Sequence, residues 1–219
     1  FSILAKLGLG ISQIAIIHCI IIFMIIFAFS RYFLPYKGAS NGKAIAIPKG
    51  IVTLFGVLAV ISFLGEGGMM DWSGVFLTEA KGVDLSLAGV GYAVFSAAML
   101  IGRLIGDKVV QKLGEQRVVI FGGIVASVGY IISIVFDNFF MMQFGFILLG
   151  FGAANIVPVV FTLLGRQKEM PINSAVTAVT SMGYLGVMFG PALLGFIAHG
   201  IGIVAVFCIL AGMFILQAI

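Results

Sequence analysis

Charge is scarce in this chain of 219 residues. Asp, Glu, Lys and Arg make up 9% of it, against roughly 25% of an ordinary soluble domain, which excludes a water-soluble globular protein. The charges that exist are clustered, leaving charge-free stretches at 7–30, 50–65, 85–102, 118–136, 138–165 and 174–219. Most of these reach the roughly 20 residues that cross the hydrocarbon of a bilayer as a helix. Cysteine is equally sparse: Cys19 and Cys208 sit inside apolar runs with no partner spacing, so neither a disulfide framework nor a cysteine metal site is expected. The two histidines, His18 and His199, lie on distant segments, which speaks against paired axial ligands for a haem. The short alternating segments of a membrane barrel are absent. So are a phosphate loop, a Gly-x-Ser-x-Gly turn and a His-Glu-x-x-His helix. No metal, cofactor, nucleic acid or enzymatic activity is therefore expected.

Hydrophobic residues make up 62% of the chain, and there are 30 glycines. Small residues let apolar helices approach closely where no hydrophobic force drives them together. The expected fold is an all-α polytopic transmembrane bundle. Hydropathy and turn residues place spans at about 11–34, 50–77, 86–106, 118–136, 139–165, 174–198 and 200–219, with Asp107 to Arg117 and His199-Gly200 among the connections. If the connections fall on alternate sides, Arg31, Lys37, Lys43, Lys49, Arg103, Lys108, Lys112, Arg117, Arg166 and Lys168 share one side, and only Lys6 and Lys81 the other. The positive-inside rule makes the first side cytoplasmic. The chain opens on Phe1 and closes within an apolar run, so it reads as a piece of a longer protein.

Several stretches form a pattern. Gly102-Arg103-Leu104-Ile105-Gly106-Asp107-Lys108, continuing through Leu113-Gly114-Glu115-Gln116-Arg117, resembles the cytoplasmic loop signature of the major facilitator superfamily. In the usual signature the first glycine stands four residues before the acid; here that position is Arg103, and only Arg117 is basic after Gly114. Gly183-Tyr184-Leu185-Gly186 with Gly190-Pro191 and Gly195-Phe196 resembles the penultimate helix of its sugar-permease-like (fucose-permease-like) branch. Gly150-Phe151-Gly152 with Asn155 and Pro158 resembles the tenth helix, and Glu66 to Trp72 the seventh. The resemblance implies the sixth helix at 1–34, a cytoplasmic central linker at 35–49, and a six-helix C-terminal half at 50–219 built from inverted repeats 50–136 and 139–219. It further implies a multi-pass protein of the inner membrane, monomeric when joined to an N-terminal half.

Glu66 is the most informative single residue. It stands six residues before Trp72, roughly 9 Å along a helix, and Trp72 is a natural interfacial anchor. A carboxylate inside the membrane is expensive and marks an ion, proton or substrate pathway. Helical arithmetic aligns Ser62, Glu66 and Ser73 within about 40°. Tyr92, Ser96, Met99 and Arg103 follow at spacings of four, three and four, one continuous face on which an aromatic, a hydroxyl and a thioether line a cavity with Arg103 at its cytoplasmic end. Pro158 cannot donate to Ala154, so a bend is expected beside Asn155, with Thr162 on the same face. Thr177, Ser181 and Tyr184 align on the following span. Uncharged hydrogen-bonding groups of this kind suit a hydroxylated solute.

The expected function is secondary active transport of a small polar solute, a sugar or similar metabolite, by alternating access. Glu66, Tyr92, Ser96, Asn155, Ser181 and Tyr184 would bind the solute, Glu66 would couple protons in a symporter, and Arg103, Asp107 and Arg117 would gate. Drug or metabolite efflux is the alternative within transport; a membrane scaffold or enzyme is the alternative outside it.

Overall fold

The computed structural model describes residues 10–32 and 46–219. Two compact units divide at Asn41 and Gly42. In the first, helix α1 (Ile11–Phe29) passes into a single 3-10 turn, Ser30–Tyr32. The free backbone N–H of Gly10 donates to Gln13 Oε1 (2.9 Å), and the Ser30 hydroxyl donates to the Phe27 carbonyl (2.8 Å). Residues 33–45, which include most of the expected linker, lie outside the described residues.

The second unit is a helical bundle. Helix α2 (Ile51–Val75) runs on through a π-helical turn, Phe76–Ala80; a 3-10 turn, Leu85–Leu87, leads into α3 (Val90–Leu113). There follow α4 (Glu115–Val135), α5 (Phe139–Ala153), α6 (Ile156–Leu164), α7 (Ile172–Ile201) and α8 (Ile203–Gln217). Among the described residues there is no strand. Five helical stretches are long and apolar enough to cross a membrane: Ile51–Ala80, Leu85–Leu113, Glu115–Val135, Phe139–Leu164 and Ile172–Ile201. Ala15–Phe29 and Ile203–Gln217 are shorter apolar helices, at 15 residues about 22 Å long. The protein is an integral, multi-pass membrane protein with an all-α transmembrane fold.

Three expected boundaries move. The connection placed at Asp107 to Arg117 shrinks to Gly114, because α3 continues to Leu113 and α4 starts at Glu115. Gly114 has φ +81°, the conformation in which glycine alone escapes a Cβ clash, so one residue reverses the chain and Asp107, Lys108 and Lys112 are helical. The break expected at His199-Gly200 comes later, at Gly202. The expected bend at Pro158 is a full interruption: α5 stops at Ala153, and Pro158 occupies the first turn of α6, where its missing N–H leaves no bond unmade.

The α4/α5 seam explains part of the glycine content. A Cβ on Gly129 would stand 2.5 Å from the Gly145 carbonyl oxygen, and one on Gly145 would stand 2.6 Å from that of Gly129. Gly122 and Gly152 face each other in the same reciprocal way, each 2.6 Å from the other's carbonyl oxygen. The backbones touch directly at both levels. In the core, Tyr130 is fully buried with its ring edge-on to Phe207 (5.4 Å between centroids), and its hydroxyl donates to the Gly65 carbonyl (3.0 Å), tying α4 to α2.

The two ends of the bundle differ. At one, the loop after α6 carries Arg166, which donates to Glu115 Oε2 (2.7 Å), and Glu169, whose Oε2 accepts the first backbone N–H of α2, that of Ile51 (3.0 Å). A carboxylate there complements the positive end of the helix dipole, and a Cβ on Gly50 would collide with it. At the other end, Lys81 Nζ donates to Asp137 Oδ1 (2.6 Å) and to the Ile134 carbonyl (2.7 Å), joining the end of the α2 stretch to the end of α4.

Candidate functional site

The interior polar site lies between α2 and α3. From α2 come Phe63, Glu66, Gly67 and Met70; from α3 come Tyr92, Phe95, Ser96, Met99, Leu100 and Arg103; α7 adds Val187. They enclose a cavity of about 400 Å³, within the range of small-molecule sites. Pro191 of α7 has no N–H to offer the carbonyl of Val187, four residues earlier, which leaves that acceptor free beside the cavity.

Charge is concentrated at one point of this cavity. Arg103 Nη2 stands 3.6 Å from Glu66 Oε2, an ion pair longer than a hydrogen bond. The arginine side chain is 48% exposed and the glutamate 21%, so each partner keeps a face toward the cavity. Glu66 Oε1 is buried and has no hydrogen-bond partner among the described residues. An acceptor and a planar set of donors thus stand together beside the Tyr92 ring, with Phe63, Phe95 and Met70 as apolar walls. The Tyr92 and Phe95 rings lie 6.2 Å apart.

Of the residues expected at a solute site, Glu66, Tyr92 and Ser96 border this cavity, together with Met99 and Arg103. The others do not. Asn155 fills a notch on α3, its amide donating to the Gly102 carbonyl (3.0 Å) and its side chain lying over Gly106. It holds α3 to the α5/α6 break. Ser181 and Tyr184 lie on the exposed side of α7, with Tyr184 60% exposed and stacked on Phe63 at 6.2 Å; only Phe63 reaches the cavity. Thr162 and Thr177 turn back to their own helices, donating to the carbonyls of Pro158 (3.0 Å) and Asn173 (2.8 Å).

The polar stripe expected on α2 divides. Ser62 and Ser73 are buried away from the cavity, and the Ser62 hydroxyl accepts from Gln217 Nε2 of α8 at 3.4 Å. Of the residues expected at a gate, Arg103 faces Glu66 rather than Asp107, and Arg117 lines a groove beside the Gly114 turn with Glu115. Among the described residues no salt bridge forms at Asp107 or Arg117, and no cluster of three metal-ligating side chains is present. Sequence reasoning missed Phe63, Met70 and Phe95, although Phe63 stands one turn before Glu66 and Phe95 adjoins Ser96.

Comparison with known proteins fits this arrangement. The model of the Major Facilitator Superfamily matches residues 60–219. An uncharacterised MFS-type transporter of Yersinia pestis is 42% identical over 198 residues, 89% of this chain and 52% of the relative. A transporter of Sinorhizobium fredii is 31% identical over 160 residues, covering 73% of this chain and 42% of the relative. Membrane protein MosC of Rhizobium meliloti is 30% identical over 150 residues, covering 68% and 37%. The chain spans about half the length, or less, of these curated relatives. With a family match over most of the chain, long apolar helices and a charged cavity between two of them, the chain belongs to the Major Facilitator Superfamily of membrane transporters.

Proposed function

We propose that the chain is the C-terminal six-helix half, 50–219, together with the end of the N-terminal half (1–34) and a cytoplasmic linker (35–49), of a secondary active transporter for a small polar solute such as a sugar or related metabolite. The complete protein works by alternating access, with the two halves rocking about a site near the midplane of the membrane. The end of the bundle that bears Arg117, Arg166 and Glu169 faces the cytoplasm of a cell whose inner membrane holds the protein, in keeping with the ten-to-two distribution of basic residues.

The observation that carries this reading is the Glu66–Arg103 pair at 3.6 Å in a cavity walled by Tyr92, Ser96, Phe63 and Phe95. A carboxylate accepts from a hydroxyl, a guanidinium donates to one, and a vicinal diol presents both at this separation. Aromatic walls suit the C–H faces of a sugar ring. Glu66 is also the proton site: neutral, it releases Arg103, and ionised, it recaptures it, so protonation and solute binding compete for the same two side chains and the protein acts as a symporter. Arg103 belongs to the gate as well as to the site, because closing the cavity brings it onto Glu66.

Thermal unfolding of the complete transporter against a panel of hexoses, deoxyhexoses and linear polyols tests the substrate class. A bound solute at about 100 times its Kd adds about 2.7 kcal/mol, a rise of several degrees in Tm. The matching sugar should raise Tm in the wild type but not in Glu66→Gln or Tyr92→Phe. No shift from any member of the panel would reject a sugar or polyol as the solute.

A further inference from the structure

The two oxygens of Glu66 stand in different settings. Oε2 faces Arg103 in the cavity, whereas Oε1 is buried and has no hydrogen-bond partner. One turn earlier on α2, about 6 Å along the axis and on nearly the same face, Ser62 is fully buried, and its hydroxyl oxygen accepts from Gln217 Nε2 at 3.4 Å. Gln217 Oε1 is likewise buried without a partner. Buried polar atoms without partners are rare in native proteins, and each calls for an explanation. Here two of them flank a hydroxyl along one helix seam, and the step from Glu66 to Ser62 is the span of a single bridging water.

The seam has a direction. Ser62 lies between Glu66 and the Ile51 end of α2, and Gln217 is the last residue of α8 at that same end. Little else titrates beside it. Arg103 of α3 and Tyr130 of α4 are the groups that face Glu66, and the Tyr130 hydroxyl is engaged with the Gly65 carbonyl. Helix α8 has no charged side chain, its Cys208 lying nearer the other end. Helix α7 has Tyr184, stacked on Phe63, and His199 near its far end.

We propose that Glu66 exchanges its proton with the cytoplasm through this α2/α8 seam, by way of Ser62 and Gln217, while the cavity side of the same carboxyl serves the solute. The assignment rests on the proton-coupled reading of Glu66 given above. The proton leaves the carboxyl for a water in the seam, the Ser62 hydroxyl accepts one proton and passes its own onward, and Gln217 orients the chain without changing its protonation. Only O–H bonds form and break. One proton reaches cytoplasmic water, and the carboxylate left behind is held by Arg103.

Protons alone are a sufficient probe. In the complete transporter, reconstituted with one orientation, the infrared carboxyl band that disappears in Glu66→Gln reports the protonation of Glu66 after a pH step on either side. The step on the cytoplasmic side should drive the band in the absence of any solute. Ser62→Val and Ser62→Thr have nearly the same shape and differ by one hydroxyl. The valine variant should slow the response about a hundredfold, the low end of what a positioned proton-transfer group contributes, and the threonine variant should restore it. Gln217→Leu should also slow it. Equal rates in the valine and threonine variants, or a band driven only from the opposite side, would overturn the seam as the route and leave Glu66 as a proton site. Absence of any Glu66 band between pH 4 and pH 10 would overturn the coupled reading and the route with it.

Discussion

Glu66 and Arg103 meet because α2 and α3 present them at the same level, and neither side chain is fully buried. An exposed or half-exposed pair contributes at most about 1 kcal/mol, so Arg103→Met should change the unfolding free energy by about that much or less while removing solute binding. Thermal unfolding with and without the matching sugar separates the two effects. A large loss of stability with binding intact would make the pair a packing device. Asn155 should behave in the opposite way. Its amide bond to the Gly102 carbonyl is worth about 1 kcal/mol, so Asn155→Ala should lower stability by roughly that amount and leave sugar affinity unchanged. The sequence could not separate these two cases. Asn155 and Glu66 each appear as a polar residue in an apolar span, and which neighbour each one meets depends on helix rotation and register. The face Tyr92, Ser96, Met99 and Arg103 was legible because a single helix fixes those relations by its own geometry.

At the scale of elements, the hydropathy of the chain defines the spans and glycine chemistry defines their ends. The Gly114 reversal escaped the sequence because charged side chains at 107, 108 and 112 resemble a loop, whereas a helix can carry them past the membrane surface on its exposed faces. The α4/α5 seam offers a direct test. Gly129→Ala would place a Cβ 2.5 Å from a backbone oxygen, and overpacking of this kind costs about 1–3 kcal/mol; a drop of several degrees in Tm is expected, with the same result for Gly145→Ala. The Lys81 clasp is asymmetric: the lysine side chain is 7% exposed and Asp137 87%. Lys81→Met strands the Ile134 carbonyl and should cost about 1–3 kcal/mol, whereas Asp137→Asn should cost less than about 1 kcal/mol. Between α2 and α3, Asp84 accepts from the Ser86 hydroxyl (2.6 Å) and backbone N–H (2.8 Å), which holds its carboxyl below the usual aspartate range. A depressed folded value stabilises above the unfolded pKa and loses that support as pH falls through the folded one, so this turn should loosen only in acid, below about pH 4. Carboxyl-carbon NMR of Asp84 follows it, and Ser86→Ala should move the titration upward.

For the whole molecule, the proposed orientation predicts one-sided chemistry. A cysteine introduced at Lys112 should react with an impermeant maleimide from the cytoplasm alone, and one at Asp84 from the opposite side alone; labelling of both from one side would invert or discard the topology. The fold class and most spans were readable from composition, because a bilayer imposes length and apolarity on every helix that crosses it. Pairings between helices were not, since they depend on the shapes of surfaces that composition averages away. The loop after α6 illustrates the difference. By length and polarity it resembles an ordinary surface connection, yet through Arg166 and Glu169 it grips the starts of both α4 and α2. Surface connections normally tolerate added residues. This one should not: an epitope tag placed between Gln167 and Lys168 should abolish folding, while the same tag between Val83 and Asp84 is accepted, so the lineage of this transporter is free to vary that loop in identity but not in length.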